Sequence, residues 1–388
     1  MEFKRNMEMI GNLVVGNEVF FGTLHTRGKM IETIRRRDAP QSGAPWVVPG
    51  FIDLHLHGLG PWGSLDAENV RGMAEFAPAT GVTTLCPTLD SEPTEVMIEF
   101  LRAVRRLIET SVVRAARIAG AHLEGPYLNP EHGGGMNPAF LRLPDLAEVE
   151  LLWETAGETL KMMTIAPELP GAGEVIRRLA GRGVVMSLGH CGLPCGELPA
   201  AVAAGISQVC HLYDTYDGRT VENSIVRPSL ADAVLLDDRL MIELICDGFH
   251  VPEELIVLTR RASGAGRIIA ITDAMQGAGL PDGVYPMTDG RKYTLCNRGV
   301  CRLQDRPEII VGSCLTMNRV FMNLIERFGF SPPEAVAATS GNAARRLRLD
   351  NRLGALREGW PADIAVLSAE TGAVMMCVRD GADLYRMA

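Results

Sequence analysis

The sequence predicts an α/β protein built as a (β/α)8 TIM barrel, with a small β-sandwich domain formed by the N- and C-terminal segments. Two observations lead to this prediction. The central part of the chain contains eight short apolar runs, most of them separated by helical stretches. Both ends of the chain instead carry short runs typical of β-strands. With 388 residues, the chain is long enough for a barrel of about 250 residues and a second domain.

The terminal segments contain β-like runs that turn residues separate. At the N-terminus these runs are MIGNLVV, EVFFGTLH and KMIETIRR, and at the C-terminus they are ADIAVLSAE and AVMMCVRD. We expect the two segments to pair with each other. The predicted small domain therefore comprises residues 1–48 and 355–388, and the predicted barrel comprises residues 49–354.

The eight apolar runs of the central part are the predicted barrel strands. Clear helical stretches such as EVMIEFLRAVRRLIET and ELIVLTRRAS lie between them. This alternation of strand and helix is typical of a parallel barrel. The predicted strands are 47–55, 82–88, 116–125, 161–168, 184–190, 207–213, 242–248 and 267–274.

The composition excludes several classes of partner. The chain has a net charge of −9 and no basic stripe, so it would repel the phosphates of a nucleic acid. No window reaches the ~18 uninterrupted apolar residues of a membrane span, and the N-terminus lacks the apolar core of a signal peptide. The nine cysteines are scattered, as is typical of buried thiols in a reducing compartment. We therefore expect a cytoplasmic protein that binds neither nucleic acid nor membrane.

Chemically active side chains lie at the ends of the predicted barrel strands. Four of the eight histidines and three acidic residues fall at the last residue of a strand or just past it. A barrel of this type places its active site at the carboxyl ends of its strands. One such histidine alone would more often be a buried structural residue, but this many equivalent positions favour an active site. The residues are His55, His57, His190, His211, Glu124, Asp247 and Asp273.

The types and spacing of these residues predict a metal centre. His55 and His57 are two residues apart in a strand, so both imidazoles lie on the same face. Glu124 ends the third strand, and a Gly-Pro pair stops the strand there. Together with His190 and His211 it forms a carboxylate–imidazole set that leaves room for a water, the pattern of catalytic zinc.

The predicted chemistry is hydrolysis with the help of one or two divalent ions. Zn²⁺ suits these ligands, and Fe²⁺, Mn²⁺ or Co²⁺ would also fit. A divalent ion lowers the pKa of bound water to about 7. Asp273 ends the eighth strand and is expected to take up the proton. Lys161 begins its strand, so we do not expect it to bridge two ions.

Nine stretches make the sequence resemble the N-acetylglucosamine-6-phosphate deacetylases of the amidohydrolase superfamily. HLEGP, TDAM and GSxLTM together are far more specific than a metal motif alone, and the stretches cover nearly the whole chain. The resemblance implies a barrel with a small β domain, a homodimer, and hydrolysis of an N-acetyl amino sugar. The stretches are PGFIDLHLHG (49–58), AHLEGPYLNP (121–130), SLGH (187–190), CHLY (210–213), CDGFHV (246–251), ITDAM (271–275), VGSCLTMN (311–318), ATSGNAARRL (338–347) and GALREGWPADIAVL (354–367).

The resemblance also implies roles for individual residues. The strand-end set around Glu124 would hold the main metal, and Asp273 would be the general base and then the general acid. The HxH pair matches the members of the family that hold a second metal. His250 resembles the histidine that contacts the sugar, and Arg219 the arginine near the substrate phosphate. Ser313, in VGSCLTMN, is also expected at the substrate.

The chain departs from the family pattern around the substrate. Where the family has a neutral Asn-Ala, this chain has Asp214-Thr215, with Asp217 close by. Carboxylates beside a phosphate dianion are repulsive in a pocket of low dielectric. The loop residue that normally reaches the acetyl carbonyl is Met136, which cannot donate a hydrogen bond, although His132 is nearby.

These departures leave alternatives open. The substrate is either the 6-phosphate sugar or an unphosphorylated N-acyl amino sugar, and a second ion at the HxH pair would polarise the carbonyl in place of the missing loop donor. A rival within the superfamily is hydrolysis of an N-acyl amino acid or a cyclic amide. A rival of another class is a descendant that binds a sugar without turning it over.

Overall fold

A computed structural model describes residues 6–112, 114–296 and 299–387, and it confirms the predicted fold class. Eight parallel strands form a barrel in which each strand pairs with the next one along the chain. A two-residue strand, Arg117–Ile118, pairs with the second barrel strand at its side. The eight barrel strands are Phe51–Leu56, Val82–Leu89, Ala121–Glu124, Leu160–Ile165, Val185–Leu188, Ile206–Val209, Met241–Ile245 and Ile268–Ile271.

The barrel closes between its first and eighth strands at the carboxyl ends. The amide of Asp273 donates to the carbonyl of His55 at 2.9 Å, and the amide of His57 donates to the carbonyl of Ala274 at 2.8 Å. These two hydrogen bonds hold the first strand of the barrel beside the segment that follows the eighth. The closure therefore places the HxH segment directly next to Asp273.

Helices cover the outside of the barrel. The longest, Thr94–Thr110, buries apolar side chains at helical spacing, including Met97, Leu101 and Val104, and packs them on the strands. The barrel and its helices share one continuous hydrophobic core. The α-helices are Ala67–Phe76, Thr94–Thr110, Leu146–Ala156, Ala172–Ala180, Leu198–Ala204, Leu230–Leu236, Glu253–Ser263, Met317–Glu326, Pro332–Val336 and Asn342–Arg346.

The two ends of the chain meet in one seven-stranded sheet with a hydrophobic core of its own. The sheet curls, since the amide of Ile31, in the edge strand Met30–Asp38, donates at 2.8 Å to the carbonyl of Trp360, in the segment that leads into Ile364–Leu367. The predicted sandwich is thus built from a single curled sheet. The boundaries at residues 48–49 and 354–355 remain predictions. The strands of the sheet are Glu8–Val15, Glu18–Arg27, Met30–Asp38, Trp46–Pro49, Ile364–Leu367, Val374–Arg379 and Ala382–Arg386.

A half-buried arginine ties the two parts together. Arg117 beside the barrel donates to Asp363 at 2.8 Å and to Asp380 at 3.0 Å, and both carboxylates belong to the terminal part of the chain. Burial alone would lower the pKa of this guanidinium, but the two carboxylates raise it above its usual value. The ion pairs therefore keep the arginine charged at the junction.

Three short sheets were not predicted. A four-stranded antiparallel sheet lies between the eighth barrel strand and the helix Met317–Glu326, and its last strand bridges to Ala274. The strands of this sheet are Gly283–Pro286, Lys292–Leu295, Val300–Leu303 and Ile310–Ser313. Two small hairpins, Gly58–Leu59 with Trp62–Gly63 and Thr220–Glu222 with Ile225–Arg227, complete the fold. None of the helices in the described residues is long and apolar enough to cross a membrane.

Several predicted strands were too long at their carboxyl ends. The run 184–190 leaves strand geometry after Leu188, and the run 207–213 leaves it after Val209. The physical reason is the backbone: His190 and His211 adopt φ angles of 48° and 23°, which a strand does not accommodate. The correction places both histidines in the turns just beyond their strands.

Candidate metal centre

The candidate site is a cleft at the carboxyl ends of the barrel strands. Its floor is formed by the strand-end residues, and one wall is formed by the four-stranded sheet that was not predicted. The glycine-rich loop after His132 covers it: at Gly134 the φ angle is 56°, and a Cβ atom there would lie 2.9 Å from Thr215. The cleft is lined by His57, Asp90, Glu124, Gly134, Gly135, Met136, His190, His211, Asp214, Thr215, Asp273, Met287, Ile310, Val311 and Gly312.

Glu124 stands at the centre and faces histidines on two sides. Its Oε1 lies 3.1 Å from Nε2 of His190 and 2.9 Å from Nε2 of His211. Its Oε2 lies 3.3 Å from Nε2 of His55 and 3.1 Å from Nε2 of His57. All five side chains are buried. One carboxylate is therefore shared between two pairs of imidazoles.

Asp273 joins the second of these pairs. Its Oδ1 lies 3.4 Å from Nε2 of His55 and 3.2 Å from Nε2 of His57. The backbone hydrogen bond from Asp273 to His55 fixes this approach. Asp273 has a φ of 49°, so it shares the left-handed backbone of His190 and His211. Such angles are uncommon for residues other than glycine, and backbone strain of this kind clusters at functional sites.

The charges in the site are strongly coupled. Burial alone would raise the pKa of Glu124, but the imidazoles around it hold that pKa well below its usual range. Burial would likewise raise the pKa of Asp273, and the contacts with His55 and His57 lower it instead. Burial would lower the pKa of His211, whereas the hydrogen bond to Glu124 raises it to about 9. Both carboxylates are therefore ionised at neutral pH.

The donor atoms fit divalent ions. Within the described residues, His55, His57 and Asp273 form one group whose ligand atoms lie within 4.8 Å of one another, and Glu124, His190 and His211 form another. Buried imidazole nitrogens and carboxylate oxygens at such distances are the ligands that zinc and similar ions take up. Lys161 lies at the start of its strand, Leu160–Ile165, as expected, and is not in these groups.

The sequence prediction missed three residues that contact these ligands. Oδ1 of Asp90 lies 2.8 Å from Nδ1 of His57, although the contact does not have the geometry of a hydrogen bond. Glu243 Oε2 lies 3.1 Å from Nδ1 of His55. The thiol of Cys210 lies 3.5 Å from Glu124 Oε1. Asp90 directly follows the second barrel strand, so the strand-end rule could have identified it.

His122 lies beneath the cluster and does not join it. Its Nδ1 is 3.1 Å from the hydroxyl of Thr88, and its Nε2 is 2.9 Å from the hydroxyl of Thr164. Burial holds the pKa of His122 well below its usual value, and the positive charge of His55 acts in the same direction. The ring is therefore neutral and hydrogen-bonded on both nitrogens, and it supports the cluster from below.

Four of the predicted substrate residues lie at or near the cleft. Met136, Asp214 and Thr215 line it. His250 contacts Asp247, with 2.6 Å between Nδ1 and Oδ2, while its buried Nε2 has no hydrogen-bond partner in the described part of the chain. Burial would lower the pKa of His250, but the hydrogen bond to Asp247 raises it. A buried imidazole with one free nitrogen can receive a ligand.

Two of the predicted substrate residues lie elsewhere. The guanidinium of Arg219 is 63% exposed and paired with Asp232 through contacts of 2.6 to 3.2 Å. The hydroxyl of Ser313 donates to the carbonyl of Thr272 and accepts from the amide of Leu315, so backbone groups already occupy it. Among the described residues that line the cleft there is no Lys or Arg.

Comparison with known proteins identifies the family of this chain. The model of the amidohydrolase family matches residues 46–382. An N-acetylgalactosamine-6-phosphate deacetylase of Escherichia coli O157:H7 is 32% identical over 84% of this chain and 84% of its own. An N-acetylglucosamine-6-phosphate deacetylase of Lysinibacillus sphaericus is 30% identical over 85% of this chain and 83% of its own.

The structural comparison gives the same result. The crystal structure of the N-acetyl-D-glucosamine-6-phosphate deacetylase from Mycobacterium smegmatis is 30% identical, with a TM-score of 0.87 over 98% of this chain and all of its own. The enzyme of the same name from Thermotoga maritima is 29% identical, with a TM-score of 0.85 over 98% and 100% of the two chains. This chain therefore belongs to the metal-dependent amidohydrolase family and is an enzyme that hydrolyses an amide bond.

Proposed function

We propose that the chain removes the acetyl group from an N-acetyl amino sugar 6-phosphate, giving the amino sugar 6-phosphate and acetate, with N-acetylglucosamine-6-phosphate as the main substrate. The observation that carries the proposal is the buried cluster in which Glu124 lies between two pairs of imidazoles beside Asp273. The deacetylases named above support the substrate class.

In this proposal two sets of ligands hold divalent ions. Glu124, His190 and His211 hold the main ion, and His55 and His57 hold a second ion together with Asp273. Zn²⁺ is the ion that we expect. When bound, such an ion polarises the amide carbonyl and lowers the pKa of water, which supplies a nucleophile at neutral pH.

Asp273 is the general base and then the general acid in this proposal. Because its pKa is lowered, the carboxylate is ionised and ready to accept a proton from the attacking water. As the C–N bond breaks, the same carboxyl returns this proton to the departing amine. The overall reaction adds one water across the amide and needs no other reactant.

The substrate is held at the rim of the cleft. The buried Nε2 of His250 has no hydrogen-bond partner in the described part of the chain, and this supports a contact with a hydroxyl or carbonyl of the sugar. Met136 offers an apolar contact in place of a hydrogen bond to the acetyl group. Arg219 would contact the phosphate of a substrate in the cleft of the same chain only after its ion pair with Asp232 had been broken. We also propose that the enzyme is cytoplasmic and acts as a homodimer.

A second candidate is an unphosphorylated N-acetyl amino sugar. The observation that favours it is the position of Asp214, which lines a cleft without Lys or Arg among its described lining residues. A carboxylate at that position repels a phosphate dianion. A rival that binds a sugar without turnover is set aside, because the chain is a hydrolytic member of its family.

The experiment is an acetate-release assay with zinc-loaded protein. The substrates are N-acetylglucosamine-6-phosphate, N-acetylgalactosamine-6-phosphate and unphosphorylated N-acetylglucosamine. We expect the highest kcat/KM with N-acetylglucosamine-6-phosphate, and a kcat about 10²- to 10⁴-fold lower for an Asp273→Asn variant of matched metal content. The highest kcat/KM with the unphosphorylated sugar would establish the second candidate instead, and no acetate from any of the three would contradict both.

A further inference from the structure

Glu243 is a buried carboxylate in the barrel that the proposed reaction does not use. It lies in the middle of the seventh barrel strand, Met241–Ile245, and its side chain is 0% exposed. One of its oxygens, Oε2, lies 3.1 Å from Nδ1 of His55. The other, Oε1, accepts a hydrogen bond of 2.6 Å from the side-chain amide of Gln208 on the neighbouring strand. Glu243 thus lies between the side-chain amide of Gln208 and the imidazole of His55, and it contacts both.

A carboxylate in this position is costly to bury. In the described part of the chain no Lys or Arg lies within 4.0 Å of Glu243, and the imidazole of His55 is the group that does; the guanidinium of Arg346 acts on Glu243 from a longer distance. Buried charges are retained in proteins when they are paired or when they act on a charged centre. The positive charge that Glu243 can contact directly is therefore one carried by His55.

The geometry fixes which nitrogen of His55 carries a proton. A carboxylate accepts hydrogen bonds, so Nδ1 of His55 must be the donor to Glu243. In the neutral ring this leaves the lone pair on Nε2, which faces Glu124 at 3.3 Å and Asp273 at 3.4 Å. A carboxylate behind a histidine ligand in this way orients the ring and makes the ligand nitrogen more basic.

The imidazoles on the other side of Glu124 are supported differently. Nδ1 of His190 lies 3.0 Å from the backbone carbonyl of His132. Nδ1 of His211 has no hydrogen-bond partner among the described residues. A buried carboxylate in contact with Nδ1 of a candidate ligand imidazole is thus a feature of the HxH side. It indicates that this side stabilises a positive charge.

We infer that Glu243 is a positioning residue for the second ion: through His55, and anchored by Gln208, it makes the HxH side of the cluster a stable ion site. Glu243 belongs neither to the groups of candidate ligands nor to the described lining of the cleft. The inference rests on the metal-dependent function proposed above. It goes beyond that function because it attributes the affinity of the second site for its ion to a residue that is not itself a ligand.

The test is a metal titration that does not depend on activity. Metal-free protein is titrated with ZnCl₂ by calorimetry, and with CoCl₂ by its visible absorption spectrum. For the wild type we expect two ions per chain. For Glu243→Gln we expect the first ion to bind as before and the second to bind about 10- to 100-fold more weakly. Gln208→Leu, which removes only the anchor, should weaken the second ion less.

Asp53→Asn is the matched control. Asp53 is also a buried barrel carboxylate, on the same strand as His55. It accepts hydrogen bonds from the hydroxyl of Thr272 at 2.6 Å and from the backbone amides of Thr272 and His55 at 3.4 Å, and none of these hydrogen bonds comes from an imidazole ring. It should leave both affinities unchanged. If Glu243→Gln folds poorly, as its thermal midpoint without metal would reveal, Gln208→Leu and Glu243→Asp still test the selective loss of the second ion.

Three results would overturn the inference. One is a second ion that binds equally well to wild type and Glu243→Gln. Another is an equal loss of both ions in Glu243→Gln, which would show a general structural role. The third is a wild type that binds one ion only, and this result would leave the proposed deacetylation standing. Conversely, a selective loss of the second ion in a protein that releases no acetate would support the role of Glu243 and contradict the proposed function.

Discussion

The two sides of Glu124 present similar donors but are constructed differently. Oε2 faces His55 and His57, which are alternate residues of one segment that leaves the first barrel strand. Oε1 faces His190 and His211, which follow two different strands and need left-handed backbone angles to turn inward. The first pair is positioned by local geometry, and the second pair is positioned by the barrel as a whole.

This difference indicates what holds the imidazoles in position on each side of Glu124. The pair at Oε1 is oriented by turns whose unusual angles the barrel must hold in place, and its imidazoles have at most a backbone carbonyl behind them. In the pair at Oε2, His55 lies in the first barrel strand and His57 directly follows that strand, and a carboxylate lies behind each ring, from Glu243 and Asp90. Substitutions on the two sides of Glu124 should therefore differ in their effects on ion binding and on acetate release.

The largest effect is expected from Glu124→Gln, because this side chain is shared by both sides. The amide keeps the volume but loses the charge that the imidazoles and the ions face. We expect both ions to be lost and acetate release to fall about 10⁴-fold, since an ion contributes several kcal/mol to such a reaction. Elemental analysis of the purified variant measures the metal content. Retention of one ion at full affinity would show that the two sides do not depend on a common carboxylate.

Asp273→Asn should have the next largest effect. An amide cannot accept the proton from water, so kcat should fall about 10²- to 10⁴-fold. Because Asp273 also approaches the HxH pair, the second ion should bind somewhat more weakly, while the first ion stays in place. Kinetics at saturating zinc, with metal content measured on the same sample, separate these effects. A variant that recovers full activity at high zinc would show that Asp273 is only a ligand.

Much of this site could be predicted from the sequence. The eight apolar runs and their strand-end imidazoles and carboxylates predicted the barrel and the buried cluster, because a parallel barrel gathers its strand ends on one face. The role of Asp273 as the base stays a prediction. Asp90 followed the same rule and was overlooked. Glu243 could not be found in this way, because it lies inside its strand, where a carboxylate gives no sign of the neighbour that it meets.

The remaining differences have physical causes. The four-stranded sheet over the cleft has short strands with mixed exposure, such as Gly283–Pro286, so no clean alternation marks it in the sequence. The pairing of Arg219 with Asp232 depends on how the hairpin after Arg219 folds back, which is tertiary information. Positive φ angles at His190 and His211 also leave no trace in residue type, because neither residue is glycine.

A matched pair, His190→Asn and His57→Asn, sharpens the comparison of the two sides. If the ion at Oε1 is the main one, His190→Asn should cost about 10³-fold in kcat/KM, and His57→Asn about tenfold, which is roughly 1.4 kcal/mol. Acetate release and ions per chain are measured for both variants under the same zinc concentration. Equal losses in the two variants would mean that the ions are equivalent.

The free energy of unfolding of the metal-free protein should depend on pH, because in the absence of an ion the imidazole of His211 carries a proton beside Glu124. The folded pKa of His211 is raised to about 9, so its contribution to stability is complete below the unfolded value of about 6.5 and is lost as pH rises through 9. We expect the metal-free protein to lose about 3 kcal/mol over this range from His211. Urea unfolding at pH 6.5 and pH 9 measures it, with His211→Asn as the control that lacks the loss. A metal-free wild type that is equally stable at both pH values would contradict the coupling to Glu124.

The smallest expected effect concerns the rim of the cleft, and it compares Asp214 with the carboxylates of the metal cluster. Glu124 and Asp273 face imidazoles, but no ion pair of Asp214 is found in the described part of the chain, so its charge acts on whatever enters the cleft. Asp214→Asn should therefore raise kcat/KM for N-acetylglucosamine-6-phosphate about 3- to 10-fold and leave that for the unphosphorylated sugar within about twofold, because repulsion of a phosphate is worth about 1 kcal/mol at the surface of a protein. The ratio of the two kcat/KM values, measured at constant zinc, removes any general effect on folding or metal content. An unchanged ratio would mean that the phosphate lies beyond the reach of Asp214, and the choice between the two substrates would then have to be made by a cation outside the described lining of this cleft.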